Sequence, residues 1–110
     1  MSSTVILIFT TLPDVSAAVM MARSVLDARL AACATQLAPS SSIYCWQGSL
    51  ERSDEIPLLF KTAVERALEL QKFISANHPY QIPEILSWSA TSLPAYALWV
   101  NAETSHPTYV

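Results

Sequence analysis

The segment from His78 to Glu84 holds the chain's densest group of side chains that could do chemistry. Its polar members are an imidazole, a phenol, an amide and a carboxylate, carried by His78, Tyr80, Gln81 and Glu84. Pro79 and Pro83 fix their own φ angles and favour extended backbone at the residue before, so we predict a semi-rigid loop. Two interpretations stay open: the side chains bind a ligand, or they hydrogen-bond the loop to a neighbouring subunit.

Two cysteines add soft, nucleophilic groups. Cys33 stands between alanines, which is typical of a small core side chain, with a ligand or redox role as the alternative. Cys45 alternates with Tyr44 and Trp46 along a predicted strand, and its role stays open. Because the chain otherwise resembles an intracellular protein, both are expected to be free thiols.

A catalytic site is not expected from these residues. The groups competent for proton transfer are Lys61, His78, Tyr80 and Glu84. Such groups in a cleft are often structural. The run Ser40–Ser42 lacks the surroundings of a strained nucleophile elbow and indicates a bend. Gly48 is the only glycine, which excludes a glycine-rich phosphate loop.

The composition predicts one domain that associates with copies of itself. Of the 110 residues, 52% are hydrophobic and 14% are charged, against about 25% charged in an average soluble domain. A small monomer leaves much of its chain at the surface, so this apolar excess predicts burial against another subunit.

The net charge and the N-terminal residues argue against nucleic-acid and membrane partners. The formal charge is −3 with six Lys plus Arg, and no basic run accompanies the aromatic residues, so we expect no nucleic-acid partner. The aromatic residues interpreted instead as subunit anchors are Tyr44, Trp46, Trp88, Tyr96 and Trp99. Residues 1–12 lack signal-peptide features, and the apolar run Val5–Phe9 is too short for a bilayer, so we expect a cytoplasmic protein with no membrane partner.

The first third of the chain predicts a strand followed by a helix. Thr4–Thr11 is a β-rich run without polar alternation, typical of a central strand covered on both faces. Asp14 is a suitable N-cap for a helix whose apolar residues recur at helical spacing as far as Leu30.

The middle third predicts a β-hairpin. Ala32–Leu37 and Ile43–Gln47 are interpreted as one long strand, interrupted by a bend or bulge at Pro39-Ser40-Ser41-Ser42. We expect a polar turn over residues 48–54 and a return strand over Ile56–Lys61. Pro57 cannot donate to a β-ladder, so it predicts a bulge or an unpaired stretch.

The last third predicts a helix, a strand and a short helix. Thr62–Glu65 has the form of a capping box, and a proline ends the helix that follows at about Asn77. Ile85–Ser89 is predicted as a strand and Leu93–Asn101 as a short helix, with residues 103–110 as a frayed tail.

The order β-α-β-β-α-β with a C-terminal helix predicts a single α+β domain over residues 1–110, of the ferredoxin-like class. In that class both main helices cover one face of the sheet. Because the first strand is apolar throughout, the second face is expected to meet another subunit.

Four separated blocks of the sequence also form a recognisable pattern. They are Leu30-Ala31-Ala32-Cys33-Ala34; Tyr44 with Trp46, Gly48, Leu50 and Glu55; Lys61-Thr62; and His78-Pro79-Tyr80-Gln81-Ile82-Pro83-Glu84. In order and spacing, from Val5 to Asn101, the chain resembles the CutA divalent-cation-tolerance family. The resemblance implies a PII-like homotrimer in which long hairpins embrace neighbouring subunits. It also implies a role in divalent-cation tolerance, with copper as the metal most often proposed.

The resemblance further implies where ligands would bind. Thr10 and Asn77 stand where the copper-associated family member carries a cysteine and a second histidine, which leaves His78 as the implied metal ligand, with Cys33 as a second candidate. Copper or another divalent cation would be the ligand. On the family pattern, a ligand cleft between subunits is lined by Lys61, Tyr80, Glu84 and Trp46. The alternatives are a very stable structural or interaction trimer, and a PII-like sensor of small anions without a metal site.

Overall fold

The computed structural model describes residues 3–105. Along this part of the chain the elements are β1 Thr4–Leu12, α1 Val15–Asp27, β2 Cys33–Gln36, β3 Ser40–Trp46, β4 Ser49–Thr62, α2 Ala67–Asn77, β5 Ile85–Thr91 and α3 Pro94–Thr104. One turn of 3₁₀-helix, Val64–Arg66, leads into α2. The predicted mixture of α and β elements is confirmed. No helix within these residues is long and apolar enough to cross a membrane.

The sheet is antiparallel and β1 is its central strand, as the apolar run predicted. β4 pairs with one edge of β1 and β5 with the other. β2 continues the sheet beyond β4, which gives the order β2-β4-β1-β5, and β3 pairs with the first half of β4. The described chain measures 52 × 30 × 22 Å along its principal axes. The long axis is consistent with a β3–β4 hairpin that extends beyond the rest of the sheet.

The hydrophobic core lies between the sheet and helices α1 and α2. Alternate residues of β1 face these helices, because successive side chains of a strand point to opposite faces. The core members from the strands are Ile6, Ile8, Leu12, Ile56, Leu58 and Phe60, and those from the two helices are Ala18, Met21, Val25, Leu70 and Ile74. A smaller cluster on the opposite face joins Val5 to Ala97 and Val100 of α3.

The predicted start of α1 is confirmed, whereas its end is earlier than Leu30. The Asp14 carboxylate accepts a hydrogen bond from the backbone N–H of Ala17 at 2.8 Å, which satisfies one of the free donors of the first turn. At the other end Arg29 has a positive φ of 58°, and Leu30 N–H donates to the Val25 carbonyl at 3.1 Å. This left-handed cap ends the helix and still turns the Leu30 side chain into the core.

The hairpin turn was predicted too long. The turn consists of Gln47 and Gly48, whose φ angles are 50° and 83°, and the first pair beyond it is Trp46 with Ser49. Two consecutive left-handed residues match the twist of the flanking strands, so a two-residue connection suffices. The polar residues assigned to a turn therefore belong to β4.

An irregularity at Pro57 is confirmed. The last pair of β2 with β4 is Gln36 with Leu58, and the first pair of β3 with β4 is Ser40 with Glu55. Between these two pairs, residues 37–39 of the β2–β3 side lie opposite only Ile56 and Pro57 of β4. One extra residue on one strand is the mark of a β-bulge. Leu37 N–H donates to the Pro57 carbonyl at 3.0 Å, so the proline contributes its acceptor where it has no donor. The serines predicted as a bend lie just beyond the bulge, in β3.

The capping box predicted at Thr62–Glu65 is wrong, because Thr62 is the last residue of β4. Its buried hydroxyl donates to the Leu30 carbonyl at 2.7 Å, and α2 begins after the 3₁₀ turn without a side-chain cap. The predicted end of α2 at Asn77 is confirmed. Glu103 and Thr104, expected in the frayed tail, belong to α3, where the Thr104 hydroxyl bonds back to the Val100 carbonyl at 2.8 Å. Residues 106–110 lie outside the described part.

Candidate functional site

A groove of about 670 Å³ lies between the β3–β4 hairpin and the loop that joins α2 to β5. Its lining consists of Ser42, Ile43, Tyr44, Trp46, Ser53 and Glu55 from the hairpin, Pro79, Tyr80, Gln81, Ile82 and Glu84 from the loop, and Thr11 from the end of β1. The volume is within the usual range for small-molecule sites. Two carboxylates and no Lys, Arg or His belong to this lining.

Three of the four residues predicted for a ligand cleft meet in this groove, namely Trp46, Tyr80 and Glu84. Lys61, the fourth, lies elsewhere on the sheet. It pairs with Leu7 of β1, whereas Glu84 immediately precedes Ile85, the partner of Thr10. Lys61 and Glu84, both expected in the cleft lining, are therefore at different levels of the sheet within one chain.

Lys61 instead forms a small cluster with β2. Its ammonium group donates to the Thr35 hydroxyl and lies 3.8 Å from the Cys33 sulfur. Both cysteines are free thiols, as predicted; Cys33 is half-buried and Cys45 is exposed. The Tyr96 hydroxyl is also near: burial, followed by proximity to Cys33, raises the pKa of Tyr96. Cys33 therefore lies on the face of the sheet opposite α1 and α2, not in the main core.

Glu55 is the groove residue whose importance sequence reasoning missed. Only 7% of the residue is exposed, and its carboxylate accepts a hydrogen bond from the Thr11 hydroxyl at 3.0 Å. A charged side chain at the start of the apolar run Ile56–Phe60 was the available signal, since a charge in a buried strand needs partners. The sequence could not indicate which partners the fold supplies.

Tyr80 connects the loop to this carboxylate. The pKa of Tyr80 is raised to about 12, first by burial and then by a hydrogen bond to Glu55 and by repulsion from its negative charge. The phenol therefore stays protonated at neutral pH and acts as a donor towards Glu55. Thr11 and Tyr80 together hold the carboxylate at the inner end of the groove.

His78 fastens the loop to the end of β1 through both ring nitrogens. Nδ1 accepts a hydrogen bond from the Tyr80 backbone N–H at 3.1 Å. The proton is therefore assigned to Nε2, which donates to the Thr11 carbonyl at 2.9 Å and lies 3.1 Å from the Thr10 hydroxyl. Burial lowers the pKa of His78, although the Thr11 bond and the Glu55 charge act in the opposite direction.

A preformed metal centre is not visible within residues 3–105, where no three His, Cys, Asp or Glu side chains come together in a way that could hold an ion. The two implied ligands, His78 and Cys33, belong to different surroundings. The imidazole is near Thr10 and Thr11, at one end of β1, and the thiol is beside Lys61.

The fold and the groove define a small α+β protein with an antiparallel sheet and a candidate binding site for a small ligand. The family model described as CutA1 divalent ion tolerance protein matches residues 6–103. The chain is 36% identical over 102 residues to the divalent-cation tolerance protein CutA of Escherichia coli, which covers 92% of this chain and 91% of that one. It is 39% identical over 101 residues to the CutA of Yersinia pestis, with 91% and 85% covered.

Solved structures agree with the sequence relatives. The crystal structure of CutA from Xylella fastidiosa superposes with a TM-score of 0.88 at 40% identity, covering 92% of this chain and 98% of the other. The Thermus thermophilus divalent cation tolerance protein superposes with a TM-score of 0.86 at 30% identity, covering 92% and 99%. The chain therefore belongs to the CutA1 divalent ion tolerance family, as the four sequence blocks indicated.

Proposed function

We propose that this protein acts in divalent-cation tolerance as a cytoplasmic, non-catalytic homotrimer of ferredoxin-like subunits, with the groove as a ligand site beside a subunit junction. One observation carries the proposal: α3 covers only part of the sheet face opposite α1 and α2, and the β5 side of that face is apolar and open. On β5, the residues Leu86 and Trp88 are 53% and 45% exposed. They lie directly opposite Phe9 and Leu7 of β1.

Such a face is costly for an isolated subunit. Contiguous exposed apolar surface on a soluble protein is typical of a contact with another molecule. The strand order β2-β4-β1-β5 and the packing of α1 and α2 on the other face support the ferredoxin-like assignment. In a closed trimer, this arrangement would bring three open faces together around one axis.

A specific copper site does not fit the side chains of one subunit. Cu(I) and Cu(II) sites take several converging imidazole or sulfur donors. Both nitrogens of His78 already form hydrogen bonds, so binding copper would require the ring to give up the Tyr80 N–H or to release its proton from Thr11. Copper binding at His78 stays a prediction that a titration decides.

The small-anion alternative would need a cation in the groove, and the lining has none. The structural-trimer alternative uses the same open face and differs only in that no ligand binds. Those two alternatives are therefore separated by ligand titration, whereas the trimer itself is tested by mass.

Two experiments test the proposed role. In a bacterial strain that lacks its own CutA, expression of this chain should restore growth in excess divalent cation; no restoration would contradict the role in tolerance.

Calorimetric titration with Cu(II) then tests whether His78 binds copper. His78→Ala should abolish any specific binding, and His106→Ala, which removes the chain's other histidine, is the matched control. Equal affinity of both variants would move the site away from His78.

A further inference from the structure

We propose that the groove binds a small organic cation by its ammonium group, held between the aromatic rings of the hairpin and loop and the carboxylates of Glu55 and Glu84. This inference rests on the proposed role of the groove as a ligand site. It differs from a metal or an anion site in the chemistry of its walls.

Strand alternation concentrates negative charge on the groove side of the hairpin. The pairs Ser42 with Ser53, Tyr44 with Glu51 and Trp46 with Ser49 lie on one face of the β3–β4 ladder. Arg52 pairs with Ile43 and lies on the opposite face, where it contacts the Asp54 carboxylate at 3.7 Å. Among the paired residues of β3 and β4, Arg52 is therefore on the face opposite Glu51 and Glu55, and the charged residues on the face of Tyr44 and Trp46 are both acidic.

The two groove carboxylates are left without a cationic partner. Within residues 3–105 the ion pairs are Arg52 with Asp54 and Arg66 with Glu69, and neither involves Glu55 or Glu84. Thr11 and Tyr80 supply hydrogen bonds to Glu55 but no positive charge. A nearly buried anion with neutral partners attracts a cation more strongly than an exposed one, because solvent screens it less.

The other walls are aromatic. As whole residues, Tyr44 and Trp46 remain 40% and 37% exposed, and the Tyr44 hydroxyl forms a hydrogen bond with the Ser53 hydroxyl at 2.7 Å. The Tyr80 ring packs 5.0 Å from the His78 ring, which orients it on the loop side. Aromatic faces attract ammonium groups, and most strongly the quaternary ones. Rings with only two carboxylates would suit Cu(II) or Zn(II) poorly, because these ions prefer imidazole or sulfur ligands and the lining has neither.

Two probes of the same shape, one cationic and one neutral, test whether the positive charge of the ligand contributes to binding. Choline carries a quaternary ammonium group, and 3,3-dimethylbutan-1-ol replaces its nitrogen with carbon and is neutral. By calorimetry on the full chain, choline should bind with saturation, and the neutral alcohol at least about tenfold more weakly. Equal binding of the two probes, or saturable binding of phosphate or Zn(II) but not choline, would overturn the inference.

Two variants locate the binding. Trp46→Leu and Glu84→Gln should each weaken choline about tenfold or more, since each removes one attractive wall. Both positions are exposed or half-exposed, so folding should tolerate the change. Glu65→Gln, which removes an exposed glutamate outside the groove, should leave the affinity unchanged. Unchanged affinity in Trp46→Leu and Glu84→Gln would place the cation elsewhere.

Native mass spectrometry separates this inference from the proposed function. A trimer that takes up no choline contradicts the organic-cation site and leaves the proposed assembly intact. A single folded chain that binds choline would support the site and contradict the trimer.

Discussion

The two faces of the sheet use the same strands for different purposes. On the side of α1 and α2, Ile8 and Phe60 have no exposed surface. On the other side, Leu86 and Trp88 remain about half exposed, although they pair with the same central strand. The difference shows that alternate residues of β1 build the main core, while Leu7 and Phe9 between them lie beside exposed apolar side chains of β5. If that surface is a subunit contact, as we propose, both faces of β1 need apolar residues.

The largest expected effect tests the helix-covered face. Phe60→Ala should lower the free energy of unfolding by about 3–5 kcal/mol, because it opens a cavity in a closed core. Chemical denaturation measures it. Phe9→Ala is the matched change on the open face, where it should lower the mass of the assembly at high dilution. If Phe60→Ala and Phe9→Ala lower the mass of the assembly equally while each subunit stays folded, the two faces do not have the different roles described above.

The second largest effect on stability is expected near the end of β1, where Thr11 lines the groove. Thr11→Val removes the hydroxyl that donates to buried Glu55 and should destabilise the protein by about 1–3 kcal/mol. Thr91→Val, at an exposed threonine of β5, is the control and should be nearly neutral. If the two variants have equal stability, Glu55 does not depend on Thr11.

A smaller effect tests how α1 is held over its face of the sheet. Asp14→Ala should cost about 1 kcal/mol through the lost N-cap, and Asp14→Asn should retain most of that stability. Thermal unfolding of the three proteins compares them. Equal midpoints for Asp14→Ala and the unchanged chain would mean that packing alone sets the start of α1.

The smallest expected effect is a pH dependence of stability that arises from His78. Its imidazole contacts the hydroxyl of Thr10, whose side chain faces the helices, and the backbone carbonyl of Thr11, the next residue of β1. The folded protein lowers the pKa of His78 below its ordinary value of 6.5, mainly by burial, with Glu55 the nearby charge that opposes the shift. The folded state therefore binds fewer protons than the unfolded state just below pH 6.5. The stability from this group is fully present above pH 6.5 and falls as the pH decreases below it. His78→Gln should flatten this part of a stability–pH curve, and an unchanged curve would assign the slope to another group.

Local sequence patterns predicted most of the strands and helices. Errors arose where contacts or backbone conformation that local patterns do not encode determine the structure. The apolar run of β1, the Asp14 cap and the end of α2 depend on neighbouring residues, and each was confirmed. The capping box failed because Thr62 bonds to Leu30, which is 32 residues away. The hairpin turn was misplaced because polar residues of β4 have the composition of a turn, while two left-handed residues, Gln47 and Gly48, make the turn.

The candidate site was predictable in its loop and less so in its partners. The prolines predicted a loop that presents polar side chains, and Tyr80 and Glu84 of that loop line the groove. Glu55 was missed as a site residue because its role depends on contacts with Thr11 and Tyr80, both distant in sequence. Lys61 and Glu84 have opposite charges, but strand register separates them within one chain.

The most direct test of the account is the mass of the native protein by light scattering at micromolar concentration. If the open sheet face is a subunit contact, the mass will be three times that of one chain, and Trp88→Glu will reduce it by placing a charge in that contact. A well-folded single chain at that concentration, with Leu86 and Trp88 still exposed to water, would contradict the account.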